Sequence, residues 1–392
     1  MGSMIDGSAI DGVLRDAVQR GAVPNAVAVA ADRDGVIYRG AAGPRVPGGD
    51  DPVAADTHFR IMSMTKMVAT VAALQQVEQG RLDLDAPVAE YCPEFADVRV
   101  LDGWDGDTPR LREPSGTATV KHLVTHTSGL GYWFLSEDLI RWEQVTGTPN
   151  VLSGANAIFG APMLTDPGRR FIYGINTDWL GKVVEATSGV RLDEAIAEGI
   201  TGPLGMRDTA FQMAEGWKDT TTPVAFKAPD GWVDSGIELN QSPEYYAGGH
   251  GLYSTPNDYI RFQRALLRDG ELDGVRILSP DTVDAAFRNQ IGDLDFPETI
   301  PSFDPNSSCD VTLGPGLKWG LGLLLNTQEA PGMRRAYSGS WAGLANTHFW
   351  VDRTSGVCAS LYSNYLPFVP PEGLQLLVDF EAALYSSLSS SG

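Results

Sequence analysis

Four residues of this chain have types and spacing suited to making and breaking an acyl bond. Ser63-Met-Thr-Lys66 sets a hydroxyl and an amine three residues apart, and positions i and i+3 share one face of a helix. An amine against a serine hydroxyl can take its proton and leave an oxygen nucleophile. A serine at a helix start also lies beside backbone N–H groups that favour developing negative charge. Tyr173, in Arg170-Phe-Ile-Tyr-Gly-Ile-Asn176, offers a phenol. Beside a lysine ammonium a phenol is expected to lose its proton more easily, and could then carry the serine proton to a leaving alcohol. The fourth residue is Leu344, which ends the run Tyr337-Ser-Gly-Ser-Trp-Ala-Gly343-Leu344. Small residues there let a substrate come close to a strand backbone, and the Leu344 amide would pair with that of Ser63 as an oxyanion hole. Each feature has a plainer counterpart: an N-cap serine with a solvated lysine, a core tyrosine, and a strand with a glycine-rich lead-in.

Several other chemistries are missing. No serine sits in G-x-S-x-G, and the Gly181-Lys182 pair is followed by Val183, so neither a nucleophile elbow nor a phosphate-binding loop is present. The five histidines form no H-E-x-x-H, and Cys92, Cys309 and Cys358 form no C-x-x-C, so neither a metal nor an organic cofactor is expected. His122 and His126 read as loop-holding groups, and His250 and His348 as residues that could line a pocket. Tyr132 and Trp133, after Gly131, could wall an acyl pocket.

The elements that must position these groups follow from periodicity. Ile10, Val13, Leu14, Ala17 and Val18 trace one face of a helix that Gly21 and Pro24 end. Ala26–Ala31 and Val36–Ala41 flank Asp32-Arg-Asp-Gly35 and read as a hairpin. Residues 64–79 are strong helix formers with Gly80 as the stop, which puts Ser63 at a helix start. Between about 86 and 187 loops alternate with short helical runs, ending in a helix over Asp178–Thr187. Thr255-Pro-Asn-Asp258 and Ser279-Pro280 are helix starts. Beyond about 319 strands are expected over Gly320–Leu325, Leu344–Asp352 and Val357–Ser363, then a helix over Glu372–Tyr385 and a frayed tail from Ser386. The expectation is an α+β fold whose antiparallel sheet, flanked by helices, is built from both ends of the chain. Residues 1–85 and 188–392 would form this α/β domain, 86–187 an inserted helical domain, and the site would lie in the cleft between them.

Composition bounds the partners. The 392 residues allow about two to three domains and a core without disulfide or metal staples. With 29 basic against 50 acidic residues the net charge is −21, which argues against nucleic acid and against an anionic membrane surface. There is neither a signal-peptide pattern nor an 18-residue apolar run, so a cytoplasmic protein with a small-molecule substrate is expected. No sequence feature speaks to oligomeric state.

The ordered motifs resemble one superfamily. Ser63-Met-Thr-Lys66 is similar to the S-x-x-K of serine β-lactamases and penicillin-binding proteins. The fuller resemblance is to the family VIII carboxylesterases, which are themselves like class C β-lactamases. It is carried by Lys121-His-Leu-Val-Thr-His-Thr-Ser-Gly-Leu130, Pro203-Leu-Gly-Met-Arg-Asp-Thr209 and Gly248-Gly-His-Gly-Leu-Tyr-Ser-Thr-Pro-Asn-Asp258. The resemblance implies that fold, with Ser63 as nucleophile, Lys66 as the proton-managing lysine and Tyr173 as the motif tyrosine. It also implies that Trp341-Ala342-Gly343 stands where β-lactamases carry K-T-G, and that Leu344 gives the second oxyanion amide. Two departures matter. Ile175 fills the third position of the tyrosine motif with Asn176 one residue late, so no amide contact to substrate is expected there. Trp341 removes the K-T-G cation, which favours a neutral ester over a β-lactam or a peptide carboxylate. The expected activity is therefore hydrolysis of small neutral esters through an acyl-Ser63 intermediate. The rivals are an acyltransferase of the lovastatin type, whose tyrosine stretch Tyr173-Gly-Ile-Asn-Thr-Asp-Trp resembles, then a β-lactamase or D-peptidase, and a catalytically silent binding protein.

Overall fold

The computed structural model describes residues 4–390. Its centre is a seven-stranded antiparallel sheet: β1 (Ala26–Asp32), β2 (Val36–Ala42), β3 (Leu317–Trp319), β4 (Leu324–Asn326), β5 (Gly339–Gly343), β6 (Thr347–Asp352) and β7 (Val357–Tyr362), in the order β3-β4-β5-β6-β7-β1-β2. The two ends of the chain meet inside it, since Val27 faces Tyr362 and Asp32 faces Val357. At the β1–β2 turn the Asp32 carboxylate accepts from the amides of Asp34 and Gly35, which is why that Asp-x-x-Gly stretch reverses the chain.

Helices cover both faces of the sheet. α1 (Ser8–Gln19) and the C-terminal helix α6 (Pro371–Ser390) bury Ile10, Leu14, Leu376, Phe380 and Leu384 against one face, together with Ala28, Ala30 and Trp350. The other face packs against α5 (Pro256–Leu267), and the same core continues through α2 (Thr65–Glu78) to α4 (Asn176–Ser188), which packs on α2 and on the short α3 (Val120–Val124). α2 is apolar on nearly every side, and Thr65 to Leu74 are all buried, because it runs through the middle of the core. The Thr255 hydroxyl caps α5 by accepting from the Asp258 amide, the device its sequence announces.

The architecture is the expected α+β arrangement, with four local differences. Of the expected strand Gly320–Leu325 only Leu324 and Leu325 are strand, at the start of β4; the residues before them turn through Gly322 (φ 79°) between β3 and β4. The expected strand from Leu344 starts later, because Leu344, Ala345 and Asn346 (φ 62°) form the tight turn joining β5 to β6, closed by Asn346 N–H donating to Gly343 O at 2.9 Å. An apolar run can hide such a turn, since hydropathy alone carries no φ information. The middle segment also holds a hairpin, Val100–Asp105 with Thr108–Arg112, whose largely exposed faces gave no alternation to read. The expected frayed tail is helical as far as Ser390, and residues 391–392 lie outside the described region.

Candidate active site

Ser63 sits in a single tight turn, Met62–Met64, that leads straight into α2. Met62 has φ 45°, in the left-handed region that a side chain resists, and such strain persists only where the surroundings fix it. Here they do. Ile61 N–H donates to Leu252 O at 3.2 Å, Thr347 Oγ1 donates to Ile61 O at 3.1 Å, and the Tyr259 hydroxyl donates to Met64 O at 3.0 Å. β5 packs against the same turn. A Cβ on Gly343 would lie 2.3 Å from Ile61 O, so only glycine lets the strand come this close.

One turn into α2, Lys66 is 1% exposed and spends its three donors on Ser63 Oγ (3.1 Å), Tyr132 OH (2.9 Å) and Gly249 O (2.7 Å). Burial pushes its amine down to about 7, against the opposing pull of the Asp178 carboxylate. Tyr173 reaches the same place from the loop before α4. A Cβ on Gly174 would lie 2.3 Å from Leu130 O, so this loop crosses Leu130–Gly131 backbone to backbone and brings Tyr173 beside Tyr132. The Lys66 ammonium lies 4.7 Å from the Tyr173 ring centre, and Trp341 Nε1 donates to the Tyr173 hydroxyl at 3.0 Å. The expected easing of the Tyr173 proton is not met. Burial raises its affinity, and its contacts with Ser63 and Trp341 oppose this only in part.

The sequence-selected residues divide by place. Ser63, Tyr173, Trp341, Ala342 and Leu344 line one apolar groove of about 360 Å³, which His348 also reaches, and Leu317 and Leu324 form part of its wall. Leu135, Tyr173 and Ile300 line both this groove and a second, more polar cavity of about 470 Å³ bordered by Glu137, Asp138 and Arg170. Tyr132 is not a wall of the apolar groove; its hydroxyl belongs to the lysine cluster. Gly343 is a packing contact with Ile61, and Trp133 borders a small separate cavity with Trp142. His250 is buried beside Asp178, with its Nδ1 3.8 Å from Asp178 Oδ1. Asn176 turns inward, donating to Leu130 O at 3.1 Å. The buried His126 ring packs between Tyr173 and Trp319, and burial holds it well below the usual imidazole range.

Sequence reading missed Asp178. It is completely buried, its Oδ1 accepts from the Gly249 amide at 3.1 Å, and burial raises its carboxyl to about 6. No local signal marked it, since an aspartate in the first turn of a helix, after Asn176 and Thr177, is ordinary.

Comparison with known proteins came out as follows. The Beta-lactamase family matches residues 10–384. Monacolin J acid methylbutanoyltransferase of Aspergillus terreus is 31% identical, over 93% of this chain and 92% of its own. Lovastatin esterase of Penicillium rubens is 30% identical, over 86% and 87%. Unliganded simvastatin synthase from Aspergillus terreus superposes with a TM-score of 0.82 at 29% identity, covering 96% of this chain and 97% of the other.

Proposed function

Because the chain belongs to the beta-lactamase family, whose β-lactamase/transpeptidase-like fold it has, we propose that it is a serine acyltransferase moving a neutral acyl group onto an alcohol. The full-length likeness to a fungal methylbutanoyltransferase carries the choice of transfer over hydrolysis. Hydrolysis, which the motifs alone favour, is the second reading, and the lovastatin esterase speaks for it. The cytoplasmic, family VIII esterase reading belongs with that second proposal. Among the described residues no helix is long and apolar enough to cross a membrane.

The chemistry runs through the lysine cluster. Neutral Lys66 takes the Ser63 proton as Oγ bonds to the acyl carbon. The oxyanion rests on the amides of Ser63 and Leu344. Lys66 then returns the proton, with the Tyr173 hydroxyl as relay, to the leaving oxygen or sulfur as its bond to the acyl carbon breaks. The acceptor hydroxyl enters by the reverse route, gives its proton to Lys66 and takes the acyl group, and Ser63 regains its hydrogen. Burial supports this division of labour, since it brings Lys66 within reach of neutrality while keeping Tyr173 protonated. The apolar groove and the indole of Trp341, in the place that the resemblance assigns to the K-T-G of β-lactamases, suit an uncharged acyl chain.

The test supplies an acyl thioester or vinyl ester with a panel of alcohols and measures acid and new ester by mass spectrometry. Transfer predicts that a millimolar acceptor diverts most of the acyl flux and speeds release from Ser63. If no acceptor changes either quantity, the enzyme is the esterase of the second reading.

A further inference from the structure

The mechanism leaves one buried charge without a task. Asp178 lies behind Lys66 on α4 and is 0% exposed. Its Oδ1 accepts from Gly249 N–H at 3.1 Å, and the carbonyl of the same glycine accepts from Lys66 at 2.7 Å. Asp178 Oδ2 has no hydrogen-bond partner among the described residues. An unpaired buried carboxylate oxygen is costly, and structural packing alone would favour an amide or an apolar side chain there. The backbone is shaped around this contact. A Cβ on Gly249 would lie 2.5 Å from Asp178 Oδ2 and 2.8 Å from Tyr132 OH, so a side chain at 249 would force the carboxylate and the lysine cluster apart.

The titratable groups facing the Asp178–Lys66 pair are uncharged. His250, at 3.8 Å, is held neutral because burial and Lys66 push it down to about 3. The phenols of Tyr132, Tyr173 and Tyr245 all face the carboxylate, and burial keeps each protonated. His126, on the far side of Lys66, is likewise held neutral by burial.

Resting on the acyl-serine reading, we propose that Asp178 is the positioning residue that lets Lys66 act as base, stabilising the ammonium that forms when Lys66 takes the Ser63 proton. It does so through space and through Gly249, whose carbonyl accepts another N–H of Lys66 and so faces the amine as it becomes positive. A buried amine accepting a proton creates a cation in a medium that solvates it poorly, and a fixed carboxylate offsets that penalty at the moment of transfer. The role parallels that of the aspartate behind a catalytic histidine, which stabilises the charged base without itself taking the proton.

The experiment follows the rate at which a fluorophosphonate labels Ser63, from pH 5 to 9, in the full chain. Labelling reads serine activation alone, independent of which acceptor ends the reaction. Asp178→Asn keeps the shape and the acceptor for Gly249 N–H but removes the charge. Without the carboxylate Lys66 becomes a weaker base. The plateau rate should fall about ten- to a thousandfold, and the midpoint of the acid limb should move down by about one pH unit or more. Asp178→Glu should restore part of the plateau. A plateau loss with an unmoved limb would mean a merely structural role and overturn the proposal. So would an unchanged variant, or failure of both Asp178→Asn and Asp178→Ser to fold. If the wild type does not label at Ser63, the acyl-serine reading itself fails, which separates the two outcomes.

Discussion

At the scale of single residues the site is governed by burial. Lys66 has its ordinary proton affinity lowered to about 7, so the amine that must accept a proton is half neutral near neutrality. Below that value it is an ammonium with all three hydrogens committed and no lone pair for Ser63; above it the lone pair is free. The kcat/KM of the wild type is therefore expected to rise with pH through about 7. Ser63→Ala should remove roughly three to six orders of magnitude of turnover while the protein stays folded, measured by kcat and circular dichroism. A flat profile between pH 5.5 and 8.5 would show that Lys66 does not serve as the base. Ser63, Lys66, Tyr173 and Trp341 were legible in the sequence because motif spacing survives without coordinates. The lysine's other partners were not, because Tyr132, Asp178 and Gly249 lie far apart in the chain and meet only through α2, α4 and the loop before α5.

At the scale of elements, close backbone contact does the positioning. β5 reaches the nucleophile turn only because residue 343 has no side chain. Gly343→Ala would drive a methyl group into Ile61 O and Thr347 Oγ1, neither at the end of a long flexible chain. It is expected to cost about 1–3 kcal/mol by thermal or chemical unfolding, and to slow acylation by moving Leu344 relative to Ser63. An alanine variant with wild-type Tm and wild-type acylation would remove this account of strand placement. The sequence showed Gly343 as part of a substrate-facing motif, yet its neighbour is the protein's own backbone. The same limit blurred the β5–β6 boundary, where Leu344–Asn346 turns within an apolar run. By contrast, the first hairpin and the starts of α5 and α6 were readable, because Asp-x-x-Gly, Thr-Pro and the helical stripe are local signals.

At the scale of the whole molecule, the sheet and its outer helices form one cooperative structure. Leu376, Phe380 and Leu384 of α6 are buried against α1 and the sheet. Exposing these three side chains forfeits about 1.5–3 kcal/mol each, and the sum is comparable to the stability of an entire domain. Deleting residues 371–392 is therefore expected to give an insoluble or unfolded chain, judged by recovery in the soluble fraction and by hydrogen exchange. A soluble, active truncation would contradict it. The pairing of β1 with β7 has a further consequence, in the order of synthesis. The ribosome releases Ala26–Asp32 more than three hundred residues before Val357–Tyr362, the strand that completes it. At about 5–20 residues per second, an apolar strand with an open edge waits roughly a quarter of a minute to a minute for its neighbour. A slower ribosome lengthens that exposure while a lower temperature weakens apolar association, so the yield of native enzyme should depend on translation speed as well as on final stability.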